Sequence, residues 1–224
     1  MGENVKFRSI SKSRKVVKKE QFFIYEPLKR ICEIIASIIL LIVLFPIFLI
    51  VSVLILITSG KPIFFLQKRV GKNGIPFTIW KFRTMKQNNS TNELNTTTWV
   101  QGVPDEFVFK SAPSSHTTRI GIWLRKYSID EIPQLINILK GEMSFVGPRP
   151  EALNIANYYN EYQNMRLLVK PGITGYAQIN GRSNMNHGQK IKYDLYYVNN
   201  QSFLLDLKII LFTIVKVIKT DGAV

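Results

Sequence analysis

"ICEIIASIILLIVLFPIFLIVSVLILI", residues 31–57, decides the class of this chain. Glu33 is its only charged residue. Written as a helix, the stretch is about 40 Å long at ~1.5 Å per residue, enough to cross a bilayer. It is too long for the apolar part of a secretory signal, and no small-residue cleavage site follows. The bland alternative, a fully buried core helix, rarely reaches this length. Pro46 stands near the middle, where it removes one helix hydrogen bond and displaces the preceding turn.

The flanks constrain orientation. Lys29 and Arg30 precede the apolar run, and Lys61, Lys68, Arg69 and Lys72 follow it. Basic flanks tend to stay on the cytoplasmic side, so a straight crossing strands one cluster on the wrong face. A helix broken at Pro46 that enters and leaves by the same face satisfies both. The expected organisation is a basic N-terminal segment over 1–30, a re-entrant membrane helix over 31–57 and a cytoplasmic domain over 58–224. The tract from Lys6 to Lys19 reads either as a headgroup-seeking arm, at roughly 1 kcal/mol per close basic residue, or as a solvated tail.

The totals agree. With 30 Lys+Arg against 15 Asp+Glu, the net charge of +15 calls for an anionic partner: nucleic acid, membrane surface or phosphorylated small molecules. Cys32 is the only cysteine, which excludes an intrachain disulfide and a thiolate metal cluster. The 224 residues can hold one good-sized domain, or a domain plus an appendage.

Beyond the membrane segment, alternation of apolar and polar residues predicts a β-hairpin, Phe64 to Val70 and Phe77 to Phe82, turning at Gly71 and Gly74. Residues 86–118, rich in Asn, Thr, Ser and Pro, read as a loop; its Asn-x-Ser/Thr triplets at Asn88, Asn89 and Asn95 are an accident of composition. RIGIWLRKY, residues 119–127, is helical with Ile120, Trp123 and Leu124 on one face. KPGITGYAQINGR, residues 170–182, reads as a Gly-rich loop. Two helices close the chain, near 186–199 and over 202–218; the second packs on the domain or lies along a membrane interface, with packing preferred.

Two adjacent carboxylates, Asp130 and Glu131, stand in the middle of this basic chain. One reading is structural: Ser128-x-x-Glu131 fits a capping box, Asp130 serves as an alternative N-cap before Pro133, and Lys140-Gly141 ends the helix. Ile129, Ile132, Leu135, Ile136 and Leu139 then form its apolar face, opposite Asp130, Gln134 and Asn137. The other reading is catalytic. Arg119, Arg125, Lys126, Lys140 and Arg149 surround the pair in sequence, and neighbouring cations hold carboxylates ionised, as a nucleophile or metal ligand requires. Hard oxygens without a His or Cys cluster suit Mg²⁺. Gly147-Pro148-Arg149-Pro150 is a stiff support for a phosphate-gripping Arg149.

WKFRTM, RIGIWLRKYSIDEIPQLINILKGEMSFVGPRPE and KPGITGYAQINGR, in that order after a membrane segment, resemble the bacterial sugar transferase family, over roughly residues 28–218. These are the monotopic phosphoglycosyl transferases of polyprenyl-phosphate pathways. The resemblance implies an α+β fold, mostly helical, with a small sheet and the proline-broken re-entrant helix, so that 58–224 becomes the catalytic domain. It implies transfer of a sugar 1-phosphate from a UDP-sugar to undecaprenyl phosphate with release of UMP, at the cytoplasmic face of the bacterial inner membrane, early in capsule or exopolysaccharide synthesis, with Mg²⁺ as cofactor. By this similarity Asp130 is the nucleophile, forming a phosphosugar-aspartate intermediate, and Glu131 holds Mg²⁺ or orients Asp130. Lys81, Arg125 and Arg149 correspond to the family's phosphate-gripping residues, with Arg83 and Arg182 as weaker correspondences. Two departures bear on donor-sugar contacts: Ser115-His116-Thr117-Thr118-Arg119 replaces an Asp-Pro-Arg-type run, and the insertion over 86–114 is long.

The competing reading is a membrane-anchored basic module, without catalysis, that binds anionic lipid or nucleic acid. It explains charge and anchor but leaves the acid pair, GPRP and KPGITG idle, and the aromatic–basic interleaving of a single-strand binder is missing. A polytopic transferase conflicts with the single convincing membrane segment. The sugar and the oligomeric state stay open, a homodimer being compatible.

Overall fold

The computed structural model describes residues 22–86, 99–108, 116–181 and 185–219. The basic tract before residue 22, the Asn-x-Ser/Thr triplets at Asn88, Asn89 and Asn95, and Arg182 lie outside the described residues. The apolar segment belongs to a longer helix, α1 (Phe22–Ser59), of 38 residues, assigned without interruption through Pro27 and Pro46. Lys29 and Arg30, read from sequence as a flank, are therefore part of the helix itself.

One stripe of α1 lies on the rest of the protein from first turn to last. At its start Tyr25 Oη donates to Asp206 Oδ2 at 2.6 Å, and Lys29 Nζ donates to Tyr197 Oη at 2.8 Å and Val146 O at 3.1 Å. Glu33, the single charge of the apolar run, is buried and accepts from Ser144 Oγ and from Phe145 N. Leu41 and Leu44 pack with Leu135 and Ile138; further on, the buried Val51 and Ile55 pack with Phe82 and Leu124. Positions 25, 29, 33, 37, 41, 44, 48, 51 and 55 recur every three or four residues, which keeps them on one helical face. The opposite face stays open and apolar: Ile31, Ile35, Ile42, Val43, Ile50 and Ile57 are among its exposed residues.

The hairpin forms as its alternation predicts. Strand β1 (Phe64–Val70) pairs antiparallel with β2 (Pro76–Phe82), placing Lys81 opposite Phe65. After it, α2 (Arg119–Lys126) is capped by Thr118, whose side chain accepts from Gly121 N at 3.0 Å. Leu124 is buried as expected, whereas Trp123 turns outward, 53% exposed, and meets Tyr127 edge-on. A short 3₁₀ turn, Ile129–Glu131, then leads into α3 (Gln134–Lys140), which ends at Gly141 with φ 82°, a left-handed stop. The expected capping box is not formed: Ser128 has φ 56°, its side chain caps nothing, and Glu131 is engaged elsewhere. Nor is α3 one-sided. Gln134 and Asn137 are as buried as Leu135 and Ile138, because α3 is clasped between α1 and β2.

KPGITGYAQINGR is not a plain loop. Strand β3 (Ser144–Val146) pairs in parallel with β4 (Gly172–Thr174), after a crossover containing α4 (Leu153–Ala156) and α5 (Glu161–Asn164), and a short α6 (Tyr176–Asn180) follows β4. Here the glycines have a steric reason. A Cβ on Gly147 would come within 2.3 Å of Lys170 O, and one on Gly172 within 2.1 Å of Gly147 N. Only bare backbone lets the two motifs approach so closely. Helices α7 (His187–Asn199) and α8 (Phe203–Ile218) close the chain where the sequence predicts them. Asp206 and Ile209 of α8 are buried, while Leu204, Leu207, Leu211 and Ile218 remain exposed. One stripe of α8 packs on the domain, and the rest is mostly apolar surface broken by the exposed Lys208.

Candidate active site

Four segments bring the charged residues together: β2, α2, the 3₁₀ turn and the loop after β3. Asn137 on α3 clamps the backbone of β2: its Oδ1 accepts from Trp80 N at 3.1 Å, and its Nδ2 donates to Thr78 O at 2.7 Å. That grip sets β2 beside the 3₁₀ turn and delivers Lys81 to Glu131, with Nζ 2.7 Å from Oε1. The loop after β3 supplies Arg149, whose Nη2 lies 3.0 Å from the same Oε1. Arg125, on the last turn of α2, is held by Thr84, which accepts from its Nε at 3.0 Å. Four of the residues singled out in the sequence around Asp130 (Lys81, Arg125, Glu131 and Arg149) thus gather at one place.

The two carboxylates sit in different electrostatic situations. Burial alone would push Glu131 up, but Lys81 and Arg149 outweigh it and hold its carboxyl low, at about 2. Asp130, 8% exposed, is pushed up to about 6, by burial first and then by the charge of Glu131; Lys81, Arg149 and Arg125 pull it down by less. The expectation that both acids are lowered by basic neighbours therefore holds for Glu131 and fails for Asp130. The physical reason is competition: the two nearest cations face Glu131. Among the described residues none donates a hydrogen bond to Asp130, and Lys81 and Arg149 both use Oε1 of Glu131, so Asp130 and Oε2 keep their lone pairs.

Arg83 is placed elsewhere. It is 7% exposed, and its Nη atoms donate to Lys61 O at 3.0 Å, Gly60 O at 2.5 Å and Ser59 O. It closes the carbonyl end of α1, a role that opposes the helix dipole's negative pole. Arg182 lies outside the described residues. Sequence reading overlooked Thr84 and passed over Asn137 as one polar position of a helix face. An amide in the middle of a helix otherwise flanked by Ile and Leu was the available signal.

The donor set is compatible with Mg²⁺. Two adjacent hard carboxylates, with no group of three His, Cys, Asp or Glu among the described residues, suit an ion that takes one or two carboxylates and completes its shell with water and phosphate oxygens.

A helical α+β domain carrying an exposed apolar helix, with an acid pair ringed by Lys and Arg, defines a class: a membrane-bound protein with a site that attracts anions. Comparison with known proteins narrows the class. The family described as bacterial sugar transferase matches residues 24–220, and the chain belongs to it. The sugar transferase EpsL of Bacillus subtilis, itself uncharacterized, is 43% identical over 196 residues, covering 87% of this chain and 89% of that protein. The exopolysaccharide production protein ExoY of Sinorhizobium fredii is 38% identical, covering 87% of each chain. A longer relative, the UDP-glucose:undecaprenyl-phosphate glucose-1-phosphate transferase of Klebsiella pneumoniae, is 39% identical over 84% of this chain but 39% of its own length. The protein is a transferase.

Proposed function

We propose that the protein moves a sugar 1-phosphate from a UDP-sugar to undecaprenyl phosphate, with release of UMP, through a covalent intermediate on Asp130. The observation that carries this reading is the division of labour in the acid pair. Glu131 is pinned by Lys81 and Arg149, while Asp130 is buried, accepts no hydrogen bond from the described residues and is pushed up to about 6. A carboxylate of raised basicity with unengaged lone pairs is a better nucleophile than its salt-bridged neighbour.

Two in-line displacements follow. An oxygen of ionised Asp130 attacks the sugar-bearing phosphorus of the donor, and the bond to the bridging oxygen breaks, so that oxygen leaves with UMP. A phosphate oxygen of undecaprenyl phosphate then attacks the same phosphorus, the aspartyl–phosphorus bond breaks, and the carboxylate is regenerated. Arg149 and Lys81 face the charge that develops on the phosphoryl oxygens, and Arg125 adds to that field. Asp130 and Oε2 of Glu131 would hold Mg²⁺, which when bound neutralises phosphate charge.

Access by one membrane face is favoured by the packing of α1. Contacts to the domain extend from Tyr25 to Ile55, roughly 45 Å of helix at 1.5 Å per residue. A helix crossing the bilayer upright would carry the domain's charged surface into the hydrocarbon. A helix lying into the membrane from the cytoplasmic side, with Pro46 relaxing its path, exposes only its apolar face to lipid. The site then stands at head-group height, where the acceptor phosphate sits.

The test is UMP release from UDP-sugars in detergent with undecaprenyl phosphate and Mg²⁺, together with intact-mass analysis without acceptor. Donor alone should add one sugar phosphate to the wild-type chain and nothing to Asp130→Asn. Turnover without any adduct that maps to Asp130 would remove the covalent route.

A further inference from the structure

The loop that presents Arg149 has few donors of its own. Pro148 and Pro150 lack a backbone N–H, so the loop is anchored by its carbonyls, and four in succession each accept one hydrogen bond. Pro148 O accepts from Gly172 N at 2.9 Å and Glu151 O from Val70 N at 2.9 Å. Between them, Arg149 O accepts from Arg166 Nη2 at 2.9 Å and Pro150 O from Arg69 Nη1 at 3.4 Å. The outer pair of donors are strand amides of β4 and β1. The inner pair, which hold the Arg149-Pro150 step itself, are guanidinium groups.

Arg166 is itself fixed. It is 1% exposed and lies 2.7 Å from Asp194 Oδ2 on α7. Its Nη1 donates to Tyr159 Oη at 2.7 Å and reaches Glu151 Oε2 at 3.4 Å, and Lys190 Nζ donates to the same Glu151 oxygen at 2.7 Å. Buried ion pairs of this kind stabilise a fold no better than apolar packing of the same volume. What they can add is geometric definition: a guanidinium fork fixes the carbonyl it holds in direction as well as distance.

We propose that Arg166 and Arg69 are positioning residues for Arg149, clamping the backbone on either side of Pro150 so that the exposed guanidinium points at Glu131 and at the substrate phosphate. Neither needs to touch substrate. The inference rests on the transferase reading for its kinetic readout, since the step they serve is phosphate binding by Arg149.

A double-mutant cycle on full-length protein tests it. Arg166→Lys keeps a charge for Asp194 and Glu151 but loses the fork; Arg166→Lys should lower kcat/KM for UMP release by about tenfold or more, as small displacements in an active site do. In an Arg149→Ala background the same change should cost less than about twofold, because contacts that act through one group are not additive. Equal losses in both backgrounds would overturn the proposal and leave Arg166 merely structural. Where Arg166→Lys does not fold, Arg69→Met, at a half-buried position of β1, carries the same cycle: a loss confined to the Arg149 background supports the clamp, and equal losses overturn it. A wild type that turns over none of UDP-glucose, UDP-galactose and UDP-N-acetylgalactosamine counts against these donors in the proposed reaction, and a second measurement, free of turnover, then decides the clamp. Phenylglyoxal modification read by peptide mass spectrometry should change severalfold at Arg149 in Arg166→Lys, with Arg119 unchanged as the control. No change at Arg149 would overturn the clamp.

Discussion

Arg149 meets Glu131 through a single contact, Nη2 to Oε1 at 3.0 Å, while 46% of its side chain stays open to solvent. The remaining donors of the fork are available for a second anion. Replacing Arg149 by Ala should raise the donor KM by about tenfold or more and leave the unfolding midpoint nearly unmoved, since a half-exposed ion pair contributes about 0–1 kcal/mol. Arg149→Lys should recover little, because an ammonium cannot reproduce bidentate geometry. UMP-release kinetics at varied donor concentration check this; an unchanged KM would remove Arg149 from the donor site.

The raised carboxyl of Asp130 makes a prediction about stability. Its value near 6 in the folded protein exceeds the ordinary 3.8, so the folded state binds that proton more tightly than the unfolded state. The ionised form is therefore the penalised one: the penalty is absent below 3.8 and complete above about 6. Asp130→Asn should stabilise the metal-free protein at pH 8, by about 3 kcal/mol, and make little difference at pH 4. Thermal unfolding in EDTA at the two pH values reads it. Stabilisation confined to pH 4 would contradict the assignment.

Glu151 predicts the opposite limb. Burial works against its charge, but Lys190, Arg166 and Arg69 prevail and hold the carboxyl at about 2, below its usual 4.5. Its contribution to stability is present above 4.5 and is lost as the pH falls through that value towards 2. Wild type should lose stability steeply over that interval, and Glu151→Gln should start lower and lose less. Parallel pH profiles for the two proteins would argue that Glu151 is not ion-paired in solution.

Orientation is testable with a cysteine-free background, Cys32→Ser. Single cysteines at Ile10 and at the exposed Lys68 bracket α1 in sequence. Both should be protected from membrane-impermeant thiol reagents in intact cells and become labelled after lysis. Labelling of one alone from outside would require α1 to cross the bilayer, and labelling of both would put the domain on the outer face.

The sequence was informative wherever a local pattern had a single structural meaning. Alternation around Gly71 and Gly74 gave the hairpin, and Lys140-Gly141 gave the stop of α3, because period-two pairing and a left-handed glycine are local requirements. Arg125 and Arg149 were legible from their nearness to the acid pair in sequence and from the stiff GPRP support, whereas Lys81, some fifty residues away on β2, was legible only through resemblance. Ser128 and Glu131 misled as a capping box because a tertiary partner, Lys81, competes for the Glu131 side chain. Arg83 misled through its neighbourhood: one residue along from Phe82, it turns to the end of α1 instead of the site. The partnership of Arg166 with Asp194 across 28 residues leaves no local trace.

The packing of α1 also bears on how the protein can be handled. Leu41, Leu44, Val51 and Ile55 are at once members of the helix that seeks lipid and interior residues of the domain, shared with Leu135, Ile138, Phe82 and Leu124. Anchor and scaffold are one element. A version trimmed to residues 60–224 to gain solubility would therefore lose a wall of its interior, bare the faces of α3 and β2, and remove Ser59 O, one of the three carbonyls that Arg83 caps. Such a fragment should aggregate where the intact chain, in detergent, stays folded; solubility here has to be sought on the lipid-facing side of α1, leaving the inward side untouched.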